Sequence, residues 1–385
     1  MVGDICSLEK CTGCYACANC CPKGCITLEP RGALGHIYPQ INNEKCINCG
    51  LCKIVCQANH PVEQLFPIAA YAGWHKKKEE YLSSTSGGAA AALSQKIVRD
   101  GGVVYGCVSL DGLVIEHKRI DRYEDLHLLK GSKYVQSSIG NAYKLAKNDL
   151  LDGITVLFIG TPCQIAGLKA YLRKEYNNLY TVDLICHGTP SQNLLRKHIQ
   201  SIANGKGINI SFRQGNDMIL KVYDEKGEII YSSDLWRSRY SDVYYNTFID
   251  GYTYRDSCYQ CQYATAERCS DITIGDFWGL GDDLERDKNN GCSCILPITE
   301  KGKELLLSCD LELHKRPISE AVQGNDQLRS PKEKGKRNRL FDNMAPTVGI
   351  KMAYAISEFD RIYRYLIWMP AKRIIRKQIR TFLHF

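Results

Sequence analysis

Cys11-Thr12-Gly13-Cys14-Tyr15-Ala16-Cys17-Ala18-Asn19-Cys20-Cys21-Pro22, answered by Cys46-Ile47-Asn48-Cys49-Gly50-Leu51-Cys52-Lys53-Ile54-Val55-Cys56, is the stretch on which the reading of this chain turns. Gaps of two residues let a tight loop carry three thiolates around one face of a four-iron cubane. Backbone N–H groups turned inward then hydrogen-bond its sulfurs. Two zinc sites would instead show Cys-x-x-Cys pairs separated by longer loops, not triplets. Eleven of the twenty cysteines lie in the first fifty-six residues of a 385-residue chain, which is long enough for two or three domains. Met1–Lys10 has no apolar run of the signal-peptide kind, and no stretch approaches the roughly 18 unbroken apolar residues of a membrane span. Thiolates held by metal in a reducing cytoplasm are therefore expected, not disulfides.

Both runs match the bacterial ferredoxin spacing, in which the fourth cysteine serves the other cluster. That rule assigns Cys11, Cys14, Cys17 and Cys56 to one 4Fe-4S cluster and Cys46, Cys49, Cys52 and Cys21 to a second. Cys21 is preferred to Cys20 because proline follows it. Gln57 stands where the second run would normally have proline, and Cys6 and Cys25 fall outside the pattern as expected core thiols.

From about Leu65 the pattern changes to strands alternating with helices. Strands are predicted over Val103–Leu110, Leu113–His117, Ile154–Gly160 and Tyr180–Ile185. Helices are predicted over Ile139–Leu151, Ile165–Arg173 and Ser191–Ala203. Such a βαβα run implies a parallel sheet, so the fold class is α/β: a ferredoxin-like module followed by a mixed α/β domain. Cys163 and Cys186 each stand just past a strand's C-terminal end, and adjacent parallel strands would bring both to one sheet edge. Cys258-x-x-Cys261, in a turn-rich segment, would complete four thiolates for a third cluster, with Cys269, Cys292 and Cys294 as substitutes. Ser83-Ser84-Thr85-Ser86-Gly87-Gly88 runs into Ala89–Leu93, a helix start suited to a pyrophosphate or, equally, an ordinary N-cap.

Six motifs in order resemble the coenzyme F-420 hydrogenase/dehydrogenase beta-subunit family: SSTSGG (83–88), GSKYVQS (131–137), GTPCQIAGL (160–168), CHGTPS (186–191), SCYQC (257–261) and DITIGDFWG (271–279). The resemblance covers roughly Ala70–Pro317. It implies FAD beside a 4Fe-4S cluster held by Cys163, Cys186, Cys258 and Cys261, with Ser86, Gly87, Gly88, Lys133 and Tyr134 lining the flavin. The hydrogenase subunit lacks the N-terminal module. Fused forms look more like bacterial homologues, many of them among exopolysaccharide-biosynthesis genes, and the 7-hydroxymethyl chlorophyll a reductase branch.

Iron–sulfur clusters move single electrons, and a flavin collects them for hydride transfer. The expected function is an oxidoreductase linking an external one-electron donor or acceptor, through three clusters and FAD, to a small organic substrate. An electron-relay subunit without its own substrate, a deazaflavin oxidoreductase subunit and a cluster protein without turnover are the rivals. His187, beside Cys186, is the candidate proton donor; Asp276 is a second, read more simply as a turn residue. Three parts are expected: 1–64, 65–345 and a tail, 346–385. The formal net charge of +8 is concentrated near the C-terminus, with no nucleic-acid-binding motif. Arg361–Phe385 carries seven Lys/Arg and no acid, with Ile374, Ile375, Ile379, Phe382 and Leu383 on one face of a helix over Lys372–Phe385. That helix is expected either to dock on the α/β domain or to lie peripherally on an anionic membrane, at its cytoplasmic face.

Overall fold

The structure, a computed structural model, describes residues 4–281, 283–285 and 290–368. The helix expected over Lys372–Phe385 lies outside them. Near the N-terminus, β1 (Ile26–Arg31) and β2 (His36–Ile41) form an antiparallel hairpin, flanked by short helices Ala16–Cys20 and Leu51–Ile54.

The larger part is mixed α/β. Its strands are β3 (Ala70–His75), β4 (Val103–Leu110), β5 (Val114–Ile120), β6 (Val156–Gly160), β7 (Leu179–Leu184), β8 (Asn209–Ser211), β9 (Ile219–Tyr223), β10 (Ile229–Asp234), β11 (Ile272–Asp276), β12 (Ser293–Pro297) and β13 (Leu311–Arg316). Eight of them form one sheet in the order β13-β3-β12-β11-β7-β6-β4-β5, and β10-β9-β8 make a small antiparallel sheet. The centre, β11-β7-β6-β4, is parallel; β5, β12, β3 and β13 add antiparallel at its margins. Both faces of this centre are apolar, as a parallel sheet covered by helices requires. Val103, Tyr105, Val156 and Phe158 pack under helices Ala142–Leu151 and Pro162–Leu172. Val104 and Leu157, pointing the other way, pack with Leu93 and Ile97 of helix Ala89–Arg99.

Two helix starts differ from the expected ones for local reasons. The helix predicted from Ile139 begins at Ala142, because Gly140 takes a left-handed φ of 52°. The helix predicted from Ile165 begins at Pro162, capped by Thr161 and Gln164 in a reciprocal box. Helix Lys336–Ser357 runs through residue 345 and is kinked at Gly349 (φ 79°).

Candidate functional site

The two cysteine runs fold into two matched loops. Gly13 and Asn48, at the same place in each run, both have left-handed φ (64° and 56°), as do Tyr15 and Gly50 (67° and 73°). Those reversals curl each loop around a recess. The first recess, ≈ 360 Å³, is lined by Cys11, Cys14, Cys17 and Cys56 together with Cys6. A second, ≈ 350 Å³, is lined by Cys21, Cys46, Cys49 and Cys52 together with Cys25. The fourth thiol of each run thus stands in the other run's recess. Cys20 is outside both, its Sγ donating to the carbonyl of Cys17 at 3.3 Å.

Cys25 Sγ stands 3.3 Å from Cys21 Sγ, and Cys6 hydrogen-bonds Cys11 and Cys56. Spacing alone gave no reason to place either thiol at a recess. Hydrogen bonding from Cys6 brings the Cys11 thiol down to about 6 and Cys56 to about 7. Burial pushes Cys14 up to about 11. Backbone N–H groups reach the sulfurs as the loops require, from Cys25 to Cys21 Sγ at 3.4 Å and from Ala16 to Cys14. Among the described residues no three His, Cys, Asp or Glu side chains close on a single ion. The thiols are set around recesses instead, the arrangement a cubane needs, since each of its irons takes a different thiolate.

A third group of thiols gathers at the sheet's edge. Because β6 and β7 are adjacent and parallel, Cys163 and Cys186 emerge side by side past their C-terminal ends. Cys258 and Cys261 join them from the turn Asp256–Gln260 and the residue after it. The thiols act on one another electrostatically: burial, then like-charge repulsion among them, pushes Cys186 up to about 12 and Cys258 to about 11, and Cys163 far above its usual range. A metal that binds thiolate reverses that preference. Arg268 holds the segment after Cys261 in place. Its guanidinium pairs with buried Asp183 of β7 at 3.1 Å and donates to the carbonyls of Tyr263 (2.6 Å) and Leu184 (3.0 Å). Cys269 is buried near Asp183, bonded to the Pro162 carbonyl at 3.5 Å, and Cys292 and Cys294 lie in a separate core beyond β11.

The module is seated directly on this site. A Cβ at Gly167 would stand 3.0 Å from Cys14 Sγ. Gly167 is one turn along helix Pro162–Leu172 from Cys163, and a turn rises about 5.4 Å. Gln57, the departure from proline, is 1% exposed and donates from its side-chain amide to Thr12 Oγ1 at 2.7 Å, while Gln262 and Tyr263 donate to its side-chain Oε1. Proline could make none of these links.

A polar cluster lies near the third thiol group, within electrostatic reach of His187. Ser86 Oγ donates to Asp276 at the end of β11, and Arg213 pairs with that carboxylate at 2.8 Å. Asp276 is therefore a strand-end ion-pair partner rather than a turn residue. Tyr134 sits beside Arg213 and packs on Phe248 and Phe212. Ser132 and Thr85 tie the two loops together at 3.4 Å. Of the buried polar atoms that find no partner among the described residues, two belong to this cluster: Ser84 Oγ and Arg213 Nε. These orphans, next to a helix start at Ala89, suit an anionic, hydrogen-bonding ligand such as a dinucleotide.

Two residues expected at the flavin are otherwise engaged. Lys133 Nζ donates to the carbonyls of Leu129 (3.0 Å) and Lys130 (2.8 Å), closing the turn Tyr123–Leu129. Gly87 is pressed into the sheet: a Cβ there would lie 2.0 Å from the Gly73 carbonyl oxygen. Gly88 caps the helix with φ 80°. His187 is exposed and makes no hydrogen bond among the described residues, while desolvation by the protein around it lowers its pKa. Arg213 was invisible to motif reading because it lies alone after the short strand β8.

Comparison with known proteins finds two matching families, a curated relative and a solved structure. Residues 154–319 match the family described as the C terminus of the coenzyme F420 hydrogenase/dehydrogenase beta subunit, and residues 10–60 match the 4Fe-4S dicluster domain. A ferredoxin-like protein from Azotobacter vinelandii is 35% identical over 51 residues, 13% of this chain and 49% of that protein, so the match spans about half of the relative's length. A chain of the F420-reducing NiFe hydrogenase complex from Methanosarcina barkeri is similar with TM-score 0.47 and 18% identity, over 68% of this chain and 90% of that one. The resemblance carried by the motifs is borne out on these segments.

Proposed function

We propose that the chain is an iron–sulfur flavoprotein oxidoreductase that joins a one-electron partner to two-electron chemistry on a small organic substrate. When bound, three 4Fe-4S clusters would supply single-electron transfer and FAD would supply hydride transfer. Cys21, Cys46, Cys49 and Cys52 would hold the outermost cluster, and Cys11, Cys14, Cys17 and Cys56 the next. Cys163, Cys186, Cys258 and Cys261 would hold the third. Ser86, with the neighbouring Ser84, Gly88, Tyr134 and Arg213, would hold the flavin, while Gly87 and Lys133 keep its walls in shape. His187 would accept or return the substrate's proton beside Asp276. On this reading residues 1–64 form the electron-entry module, 65–345 the oxidoreductase domain and 346–385 a basic tail that meets an anionic membrane from the cytoplasmic side.

The observation that carries the proposal is the succession of thiol groups: Cys14 against Gly167, one helical turn from Cys163, near the polar cluster of Asp276 and Arg213. Four thiols could hold a zinc ion anywhere, but only a relay needs its groups in line. Anaerobic purification followed by assay of iron, sulfide and flavin tests it directly. About twelve iron atoms, by the four-iron stoichiometry of such clusters, and one FAD are expected. A screen of hydride acceptors, exopolysaccharide precursors and deazaflavins included, would then separate an enzyme from a relay subunit. Clusters without flavin would refute the flavoprotein, and flavin that no acceptor reoxidises would favour the relay.

A further inference from the structure

Arg255 heads the large side chains that are fully buried among the described residues, at 1% exposure. Its guanidinium has no carboxylate partner there. Nη1 donates to the carbonyl of Cys11 at 3.2 Å, Nη2 to that of Ile37 at 2.6 Å, and Nε and Nη2 to Gln136 Oε1 at 3.3 and 3.1 Å. The group lies over the Tyr38 ring, 4.7 Å from its centroid. The adjacent acid, Asp256, points to Lys334 at 2.9 Å. Arginine keeps its proton even when buried, so a charge taken out of water here needs an anion that the hydrogen bonds do not supply.

The position of Arg255 says where that anion would be. On one side its guanidinium presses on the loop between Cys11 and Cys14: a Cβ at Gly13 would stand 2.7 Å from Nη2. On the other, the backbone carbonyl of Arg255 accepts from the N–H of Cys258 at 2.9 Å. One side chain thus reaches the loop that carries Cys11 and Cys14, while its own backbone anchors the turn that carries Cys258. A cubane with four thiolate ligands is a net anion, and its potential follows the charges around it.

We infer that Arg255 is the shared counter-ion of the first and third clusters, a fixed cation between the module and the sheet that makes both easier to reduce. The inference rests on the three-cluster reading above. Recess two, lined by Cys21, Cys46, Cys49 and Cys52, receives no hydrogen bond from Arg255 and is the internal control.

EPR-monitored reductive titration of the full holoprotein tests this, comparing wild type with Arg255→Gln and Arg255→Lys. In Arg255→Gln, two couples should become at least tenfold harder to reduce, about 59 mV lower for one electron, while the third couple stays. Arg255→Lys, which keeps the charge, should recover most of that shift. Unmoved couples, or an equal shift in all three, overturns the inference. If Arg255→Gln loses clusters, full iron in Arg255→Lys still supports a role for charge, and loss in both overturns it. Wild-type iron near two clusters would remove the third site, yet the shift at the first cluster would still be required.

Discussion

Gly167 has no side chain, and the module occupies the space one would take. Its Cβ would lie 2.9 Å from Cys14 Cβ and 3.0 Å from the Tyr143 hydroxyl. Alanine at a helix-interior glycine ordinarily stabilises by roughly 0.5–1 kcal/mol. Here Gly167→Ala should instead destabilise by about 1–3 kcal/mol through overpacking, and it should alter the EPR spectrum of the cluster nearest it. A raised melting temperature with an unchanged spectrum would show that the module does not sit on this helix. The same scale yields a pH effect. His117 is buried between the Ile159 carbonyl and Ser137, and burial holds its pKa down to about 4; burial likewise holds His36 down to about 3. Unfolded chains protonate near pH 6.5, so below that the unfolded state binds more protons. Stability is then complete above about pH 6.5 and falls by about 1.4 kcal/mol per unit per histidine as the pH drops toward those folded values. Denaturant midpoints between pH 7.5 and 5.5 should show this slope, and His117→Gln should flatten it; an identical slope in the variant would exclude His117.

The elements were legible where the signal is local. Val103–Leu110 is a strand over its whole predicted length, because alternating Val, Tyr and Val side chains serve two buried faces. Cysteine spacing likewise carried the exchange of Cys21 and Cys56 between recesses, since loop geometry alone dictates it. Strand order is a long-range property and was not legible. Nothing in Ala70–His75 says that it enters the sheet between β12 and β13, or that β12 and β13 run antiparallel to their neighbours. The polar cluster was only half visible for the same reason: Ser86 and Tyr134 carry motifs, whereas Arg213 arrives from a distant hairpin. Arg255 did leave a trace, three residues before Cys258, but its role depends on Cys11 far away in the chain. The turn bearing Cys258 and Cys261 invites a test at this scale. Cys258→Ser with Cys261→Ser should lower iron from about twelve atoms to about eight, by the four-iron stoichiometry, leaving the ferredoxin module's signals intact. Equal iron in both proteins would mean that this turn holds no cluster.

Across the whole molecule, charge and apolar surface are distributed unevenly, and both excesses meet at the C-terminus. Among the described residues no helix is long and apolar enough to cross a membrane. Even so, Met352, Ile356, Phe359, Tyr363 and Leu366 are 40–68% exposed and recur at intervals of three and four residues, while Ala353, Tyr354, Ser357 and Glu358 between them are buried. The buried residues dock on Tyr252 and Phe341, so this apolar stripe is turned away from the body. A second copy could cover such a stripe, but each copy brings seven Lys/Arg and no acid over Arg361–Phe385, and pairing would set like charges together. An anionic lipid surface satisfies both the stripe and the charge. The intact protein should therefore sediment with vesicles containing anionic lipid at low salt and come off as salt shortens the screening length. Truncation after Trp368 removes Lys372, Arg373, Arg376, Lys377 and Arg380 while leaving the stripe. Phe359→Ser with Leu366→Ser does the reverse. Each variant should bind vesicles at least tenfold more weakly while keeping wild-type iron and flavin content. Vesicle binding that survives both changes, or a full-length protein that dimerises through this face in sedimentation equilibrium, would reject the membrane as its partner.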